Sequence, residues 1–516
     1  MKSLLSRQAF YGAAVFFSSA GGLVLEIVAG RLLAPYVGMS LYTWTAVIAV
    51  VLAGFSVGHW IGGRLAGPDC DGVAGARRVS YALALAAASS FACLALLRWL
   101  SAPILSAGLP VLAAIVLLAT LLFLLPSLFV GIVSPILTKL AVDEAPGDPG
   151  RAIGRMYALS AVGSIAGTLS AGYLFISWVG STGTVLAVTA TYALLAIAFA
   201  RLSRIAVTVA ALLAILGSGF GFAGWRLSAF TAPCDVESDY YCIRVEDASW
   251  QFIRTSAVLV LDHLAHGVND RDDPQRLHSS YLHFLDEYTR RRFPAPSPLR
   301  VLVAGGGALT LPRAWLAGRE GAEITVAELD PQVTRTAMER LWVRPHPNLS
   351  IIHGDARVTL KSLPQGASFD VVFSDVFHDI SIPAHLVTRE YHQAVKARLA
   401  PGGIYAANVI DGSAWPRFVY SLARTLAEDF AVVEVWFDAV DSTGGRNTYV
   451  IVASDTPSLE GSLSASSGEN RSWLRSPYAL LAPRIDAARV PVLTDDYAPV
   501  DRLLSHVLLD QELSER

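Results

Sequence analysis

Seven apolar stretches crowd the first ~225 residues, and each is long enough for the ~20-residue helix that crosses a bilayer core. They lie near Ala9–Pro35, Leu41–Leu65, Val79–Trp99, Leu109–Leu140, Ile153–Val179, Thr182–Ala200 and Ile205–Trp225. Sequence this oily folds where lipid replaces water, so it predicts a polytopic α-helical membrane bundle over residues 1–228. Charged residues make up only 16% of the 516, against about 25% in soluble domains, and the deficit falls in this first part. The first stretch is too long for a signal peptide and lacks a cleavage site, so it stays as a helix. The fourth contains Pro126 and Pro135 but no polar turn, which predicts one kinked helix. Splitting it would give eight spans. Glu26 is the odd residue inside this region, since an intramembrane carboxylate usually faces a partner or a pathway.

Loop charge sets the orientation. Lys2 and Arg7 precede the first stretch, and Arg64, Arg77 and Arg78 lie around the junction of the second and third. Lys139, Arg151, Arg155, Arg201 and Arg204 mark later loops of the same side, while the alternate loops offer almost only Arg98. This predicts a multi-pass protein of the cell (inner) membrane with a cytoplasmic amino terminus. Seven spans then leave the rest of the chain outside, and eight leave it inside. The charge asymmetry favours the outer face. Outside, Cys234 and Cys242, which flank a short acidic stretch, could form a disulfide; inside, they would be free thiols. Cys70 and Cys93 have no metal-ligand company.

After Trp225 the texture changes. Residues 229–295 read as a small β-rich lead-in, with "SAVLVLDHLAHGV" as a hairpin strand. From Leu299 strands and helices alternate, as in "RVLVAGG", "EITVAEL", "LSIIHGD", "FDVVFSD" and "GGIYAANVI". That alternation predicts a Rossmann-like, doubly wound parallel sheet over residues 296–516. "SLEGSLSASSGENRS" reads as a loop insert near the end. The net charge of −3 and the lack of a basic stripe exclude a nucleic-acid partner. No cluster suggests a metal.

The chemistry sits at strand ends. Gly305, Gly306 and Gly307 close the first strand, where glycines let backbone approach a ligand. Glu328 ends the second strand and suits ribose hydroxyls. Asp355, followed by Ala356, ends the third, placed for an adenine amine; alternatively it is a helix cap. Asp375 ends the fourth. Three acids at successive strand ends favour an S-adenosylmethionine-type ligand over a dinucleotide. A nucleoside cofactor is made in the cytosol, which argues for the inner face against the charge asymmetry.

With these motifs the chain resembles the spermidine synthase family, the aminopropyltransferases, over roughly Glu237–Ala453. It resembles the membrane-fused members in particular. The motifs run through "YYCIRV", "LVLDHLAH", "VLVAGGG", "VAELDPQV", "HGDARVTL", "FDVVFSD", "TREYHQAVKARLAPGG" and "NTYVIVAS". The resemblance implies that the glycine loop, Glu328, Asp355 and Ala356 hold decarboxylated S-adenosylmethionine, or S-adenosylmethionine itself. It implies that Asp375 takes a proton from an attacking amine of the polyamine class. Tyr241, His266, Tyr281, Asp379 and Tyr391 become candidates for the amine substrate, with Asp496 a further acid. Family members often pair, so a homodimer is implied too. The chain also departs from the pattern. Ala308 stands where the family has an Asp on the aminopropyl amine. Cys242 and His266 replace glutamines, Leu282 replaces a histidine, and the second Asp of the catalytic loop is shifted to Asp379. The nucleoside half is kept better than the amine half. A methyltransferase and a non-catalytic sensor or polyamine transporter therefore stand beside the aminopropyltransferase reading.

Overall fold

The computed structural model describes residues 2–145, 147–377, 381–440, 445–457 and 461–509, with side chains from residue 7 onward. The chain divides into two compact units between Pro233 and Cys234, slightly later than the expected 228/229 boundary.

The first unit is helical. Its helices are α1 (Lys2–Val37), α2 (Leu41–Leu65), α3 (Gly72–Leu105), α4 (Val111–Asp143), α5 (Pro149–Ser170), α6 (Ile176–Leu202) and α7 (Ala206–Arg226). Polar caps start several of them: Ser40 accepts from Thr43 N–H, Asp71 from Val73 and Ala74, and Asp148 from Arg151. Both prolines of α4 lie inside one continuous helix. By length and composition six helices could cross a membrane, one fewer than the seven stretches. The difference is one run, Pro149–Leu202, in which α5 passes through a π-helical turn at Ala171–Phe175 into α6. Its 54 residues would extend ~80 Å as a straight helix, well over twice a ~30 Å bilayer core. Gly180 breaks it, with φ +69° and ψ 175°, between the fifth and sixth apolar stretches. The small-residue pattern "GSIAGTLSAG" lets helices touch. A Cβ on Gly163 or Gly167 would lie 2.3 Å from the carbonyl oxygen of Phe16 or Ala20 on α1. Glu26 is buried within this bundle.

The second unit begins with an antiparallel sheet of β1 (Val236–Glu237), β2 (Cys242–Asp247), β3 (Ser256–Leu261) and β4 (Leu264–Asp270). Cys234 and Cys242 are joined by a disulfide, with Cα atoms 5.2 Å apart. The helix Ser280–Arg292 follows. The lead-in shares its core with the larger sheet, since Ile243, Leu259 and Phe284 pack in one cluster with Val301 and Ile324.

The larger sheet has nine strands: β5 (Leu299–Ala304), β6 (Ala322–Glu328), β7 (Leu349–His353), β8 (Phe369–Ser374), β9 (Leu399–Gly412), β10 (Val432–Asp438), β11 (Arg446–Ser454), β12 (Ser462–Ser464) and β13 (Ser472–Pro477). Their order is β12-β13-β10-β11-β9-β8-β5-β6-β7. Strands β5 to β9 are parallel, as the alternation predicts. Beyond β9 the sheet corrects the all-parallel expectation, because β11, β10, β13 and β12 each pair antiparallel. The connection from β10 to β11 is too short for the crossover that a parallel neighbour needs. The presumed loop insert also holds β12 and part of its ladder to β13, with residues 458–460 outside the described part. Order reverses between β5 and β8, so a crevice opens over their carboxyl ends.

Candidate active site

A cavity of about 360 Å³ lies over those strand ends. It collects residues that are far apart in sequence: Tyr241, His266, Tyr281, Gly305, Gly307, Glu328, Asp355, Ala356 and Asp375 all line it. Gly306 lines a small adjoining hollow with Ala308 and Thr310. Tyr391 does not reach the cavity. It lies in the first turn of the helix Arg389–Lys396, capped by Thr388, and its buried hydroxyl meets Ser374 Oγ at 3.3 Å behind β8. Asp379 lies outside the described residues, and Asp496 is exposed and does not line the cavity.

The glycine loop shows why side chains are excluded. Gly305 sits at φ +88°, and a Cβ there would stand 2.1 Å from the carbonyl oxygen of Asp375. Backbone hydrogen bonds from Asp375 N–H to Ala304 and from Gly305 N–H to Ala327 tie the three strand ends together. Gly307, at φ +49°, needs the left-handed region that glycine enters without cost. Glu328 locks the loop from below. Its Oε2 accepts from Gly306 N–H at 2.8 Å and Gly307 N–H at 3.1 Å, while Oε1 accepts from Asp330 N–H at 2.9 Å. Burial pushes this carboxyl up, against the three N–H groups that favour its charge. Each carboxylate oxygen accepts more than one bond, so Oε1 keeps capacity for a ribose hydroxyl.

Asp355 takes the capping role offered as its alternative and also lines the cavity. Its Oδ1 accepts from Val358 N–H and caps the helix Ala356–Ser362, while Oδ2 meets His385 Nε2 at 2.6 Å beside the cavity. Burial pulls its pKa up, but the imidazole and the helix amides outweigh it and hold the carboxyl low.

Asp375 is different. Oδ1 accepts from Asn408 Nδ2 at 2.9 Å and Oδ2 from the Tyr281 hydroxyl at 3.1 Å. Burial raises its pKa to about 6, against the two hydrogen bonds that favour the carboxylate. Tyr281 is pushed well above its ordinary value by burial and by this neighbour, so it stays a donor. The result is a base with a pKa near neutrality, held by two donors and facing a cavity. Burial, followed by the charge of Arg446 and Arg244, lowers His263 to about 4; burial and His263 lower His266 to about 4. Both imidazoles are neutral at pH 7.

Asn408, His385 and Arg446 also line or support the cavity, and the motifs had not marked them; Thr448 lines it too and stands in the motif "NTYVIVAS", though it was not named as a site residue. Asn408 carried one signal, a polar residue in the otherwise apolar strand "GGIYAANVI". His385 and Arg446 carried none.

No family model matches the chain. A polyamine aminopropyltransferase of Vibrio vulnificus is 32% identical over 119 residues, which are 23% of this chain and 40% of that protein. A spermidine synthase of Dictyostelium discoideum is 29% identical over 168 residues, 31% of this chain and 58% of that one. The chain thus spans about half the length of the curated relatives it matches. A solved structure of a probable spermidine synthase from Corynebacterium glutamicum covers 51% of this chain and 97% of its own, with 24% identity and a TM-score of 0.44. The chain is similar to the spermidine synthase family.

Proposed function

We propose that the chain is a membrane-anchored aminopropyltransferase, moving an aminopropyl group from decarboxylated S-adenosylmethionine to a small amine. The observation that carries this reading is Asp375, a near-neutral base set between the nucleoside-type acids and the open half of the cavity. Glu328 and Asp355 would hold ribose and adenine, and the glycine loop would pass beside the sulfonium. The amine nitrogen attacks the carbon next to the sulfonium. The C–N bond forms as the C–S bond breaks, and the thioether leaves with the electron pair. The nitrogen gives its proton to Asp375. Because amines are cationic at pH 7, a base that keeps the attacking nitrogen neutral is what this reaction asks of the protein. Alignment comes from Tyr281 and Asn408, which fix the carboxylate plane. The names of the relatives support a polyamine-class acceptor.

The test uses purified full-length protein in detergent with each donor and a panel of amines. The expected result is methylthioadenosine release from the decarboxylated donor only when an amine is present, with the aminopropylated amine found by mass. Methylated product from S-adenosylmethionine would instead establish a methyltransferase. Donor binding with no product from any pair would make the unit a ligand sensor.

A further inference from the structure

Arg446 is the unexpected residue of the cavity wall. It sits on β11, where it opposes Gly412 of β9, and Thr448 beside it opposes Ile410. Arg446, Thr448, Ile410 and Asn408 all line the cavity, so they share one face of the sheet. Asn408 is the residue that holds Asp375. The strand order fixes which half Arg446 belongs to. The nucleoside acids follow β6 and β7, Asp375 follows β8, and Arg446 lies two strands further on, beyond β9. At ~4.8 Å per strand that places its strand about 10 Å across the sheet from β8, on the side away from Glu328 and Asp355. Asp375 stands between the two halves.

Arg446 is the one cation of this far half among the described residues. Among the described residues, the carboxylates lining the cavity are Glu328, Asp355 and Asp375, and the first two belong to the nucleoside half. Arg446 has no ion pair among the described residues. His263, near Arg446, is kept neutral by burial and by that guanidinium, so no imidazolium competes for an anion there. On the donor side, Ala308 fills the place after the glycine loop with a methyl group and lies against Gly267. A diamine would bring a second ammonium into a half whose one charged side chain besides the base, among the described residues, is a guanidinium. Like charges so placed repel, whereas a guanidinium forks onto a carboxylate with two parallel bonds.

We infer that the acceptor is an aminocarboxylate, its amine at Asp375 and its carboxylate on Arg446, with Thr448 beside it. This departs from the polyamine class that the relatives' names support, and it rests on the transferase reading for the role of Asp375. The carboxylate sets the length of the acceptor; the base selects its amine.

Calorimetry on the full chain in detergent tests it, using two pairs of matched probes: γ-aminobutyrate against putrescine, and δ-aminovalerate against cadaverine. Each is titrated with and without methylthioadenosine. The expected result is tighter binding of the aminocarboxylate in each pair. Arg446→Gln should weaken it by about 10- to 100-fold, the range of one charge-assisted contact, and leave methylthioadenosine affinity unchanged. Arg446→Lys should restore part of the loss. Tighter diamine binding, indifferent to Arg446→Gln, overturns the inference. So does a variant that loses S-adenosylmethionine while keeping the decarboxylated donor and the aminocarboxylate, because the anion would then be the donor's own. Wild type that fails to bind methylthioadenosine yet binds the aminocarboxylate through Arg446 would sink the transferase reading and leave the anion site standing.

Discussion

Replacing the proposed base should stabilise the protein while disabling it. Asp375 has a pKa of about 6 in the folded unit, against about 3.9 for a free carboxyl. Each pH unit of that rise corresponds to about 1.4 kcal/mol, so an ionised Asp375 costs at most about 3 kcal/mol of stability at pH 7. The side chain opens partly onto the cavity, and water there lowers the cost. Asp375→Asn removes the charge and keeps the shape. Its amide oxygen still accepts from Asn408 Nδ2, and its amide nitrogen donates to the Tyr281 oxygen.

The sign and the pH window follow from the raised pKa. Above about pH 6 the carboxyl is ionised in both folded and unfolded chains, and the whole cost is present. As pH falls from about 6 toward 4, the folded chain takes up the proton before the unfolded one, and the cost fades. The variant's advantage should be greatest at pH 7 to 8 and vanish near pH 4. For a unit of this size, 1 kcal/mol moves the melting temperature by about 2–4 °C. The assay is thermal unfolding of the full chain in detergent, read by proteolysis of the second unit across pH. Turnover of the variant should fall by about 10²–10⁴-fold, the usual contribution of a general base. Equal melting temperatures for variant and wild type at every pH would refute the buried charge. Full turnover would remove Asp375 from the mechanism.

Two further outcomes are expected. Glu328→Ala removes the acceptor of two loop N–H groups and the proposed ribose contact, so methylthioadenosine affinity should fall by about 100-fold or more by calorimetry; unchanged affinity would place the nucleoside elsewhere. A cysteine engineered into "SLSASSGEN" should react with an impermeant reagent on intact cells if the soluble unit lies outside, where Cys234 and Cys242 would stay paired; labelling only after lysis would place it inside.

The glycine-loop half of the cavity was legible because its residues stand at strand ends. In "VLVAGGG", "VAELD" and "HGD" the apolar run itself announces the strand and the next polar residue its carboxyl end. A parallel sheet brings such ends to one edge whatever the loops do, so Glu328, Asp355 and Asp375 converge without knowledge of packing. Tyr391 shows the limit. Its position in a motif marked it, but a helix has a cavity side and a sheet side, and Thr388 caps the turn so that the phenol goes behind β8. Asn408 and Arg446 depend on something sequence does not display: which strand lies next to β8, and in what register β11 pairs with β9. In the helical unit, apolar length alone divides the chain at Gly180 only by a change in texture, whereas the backbone divides it by a φ of +69°.

The same asymmetry separates the two halves of the cavity. The half proposed to hold the donor is built by the parallel strands β5, β6 and β7 and their glycine loop, a frame in which Gly305 tolerates no side chain and Glu328 is committed to the loop. Little can change there without losing the loop. The far half is built by β9 and by β11, which joins antiparallel, and no side-chain hydrogen bond from Ile410, Thr448 or Arg446 to a backbone turn occurs among the described residues. Substitution there changes charge and size at small cost to the fold. On the proposed reading, chains with a common glycine-loop half can take different acceptors, and the residue expected to report the acceptor in this one is Arg446 rather than any member of the glycine and acid motifs.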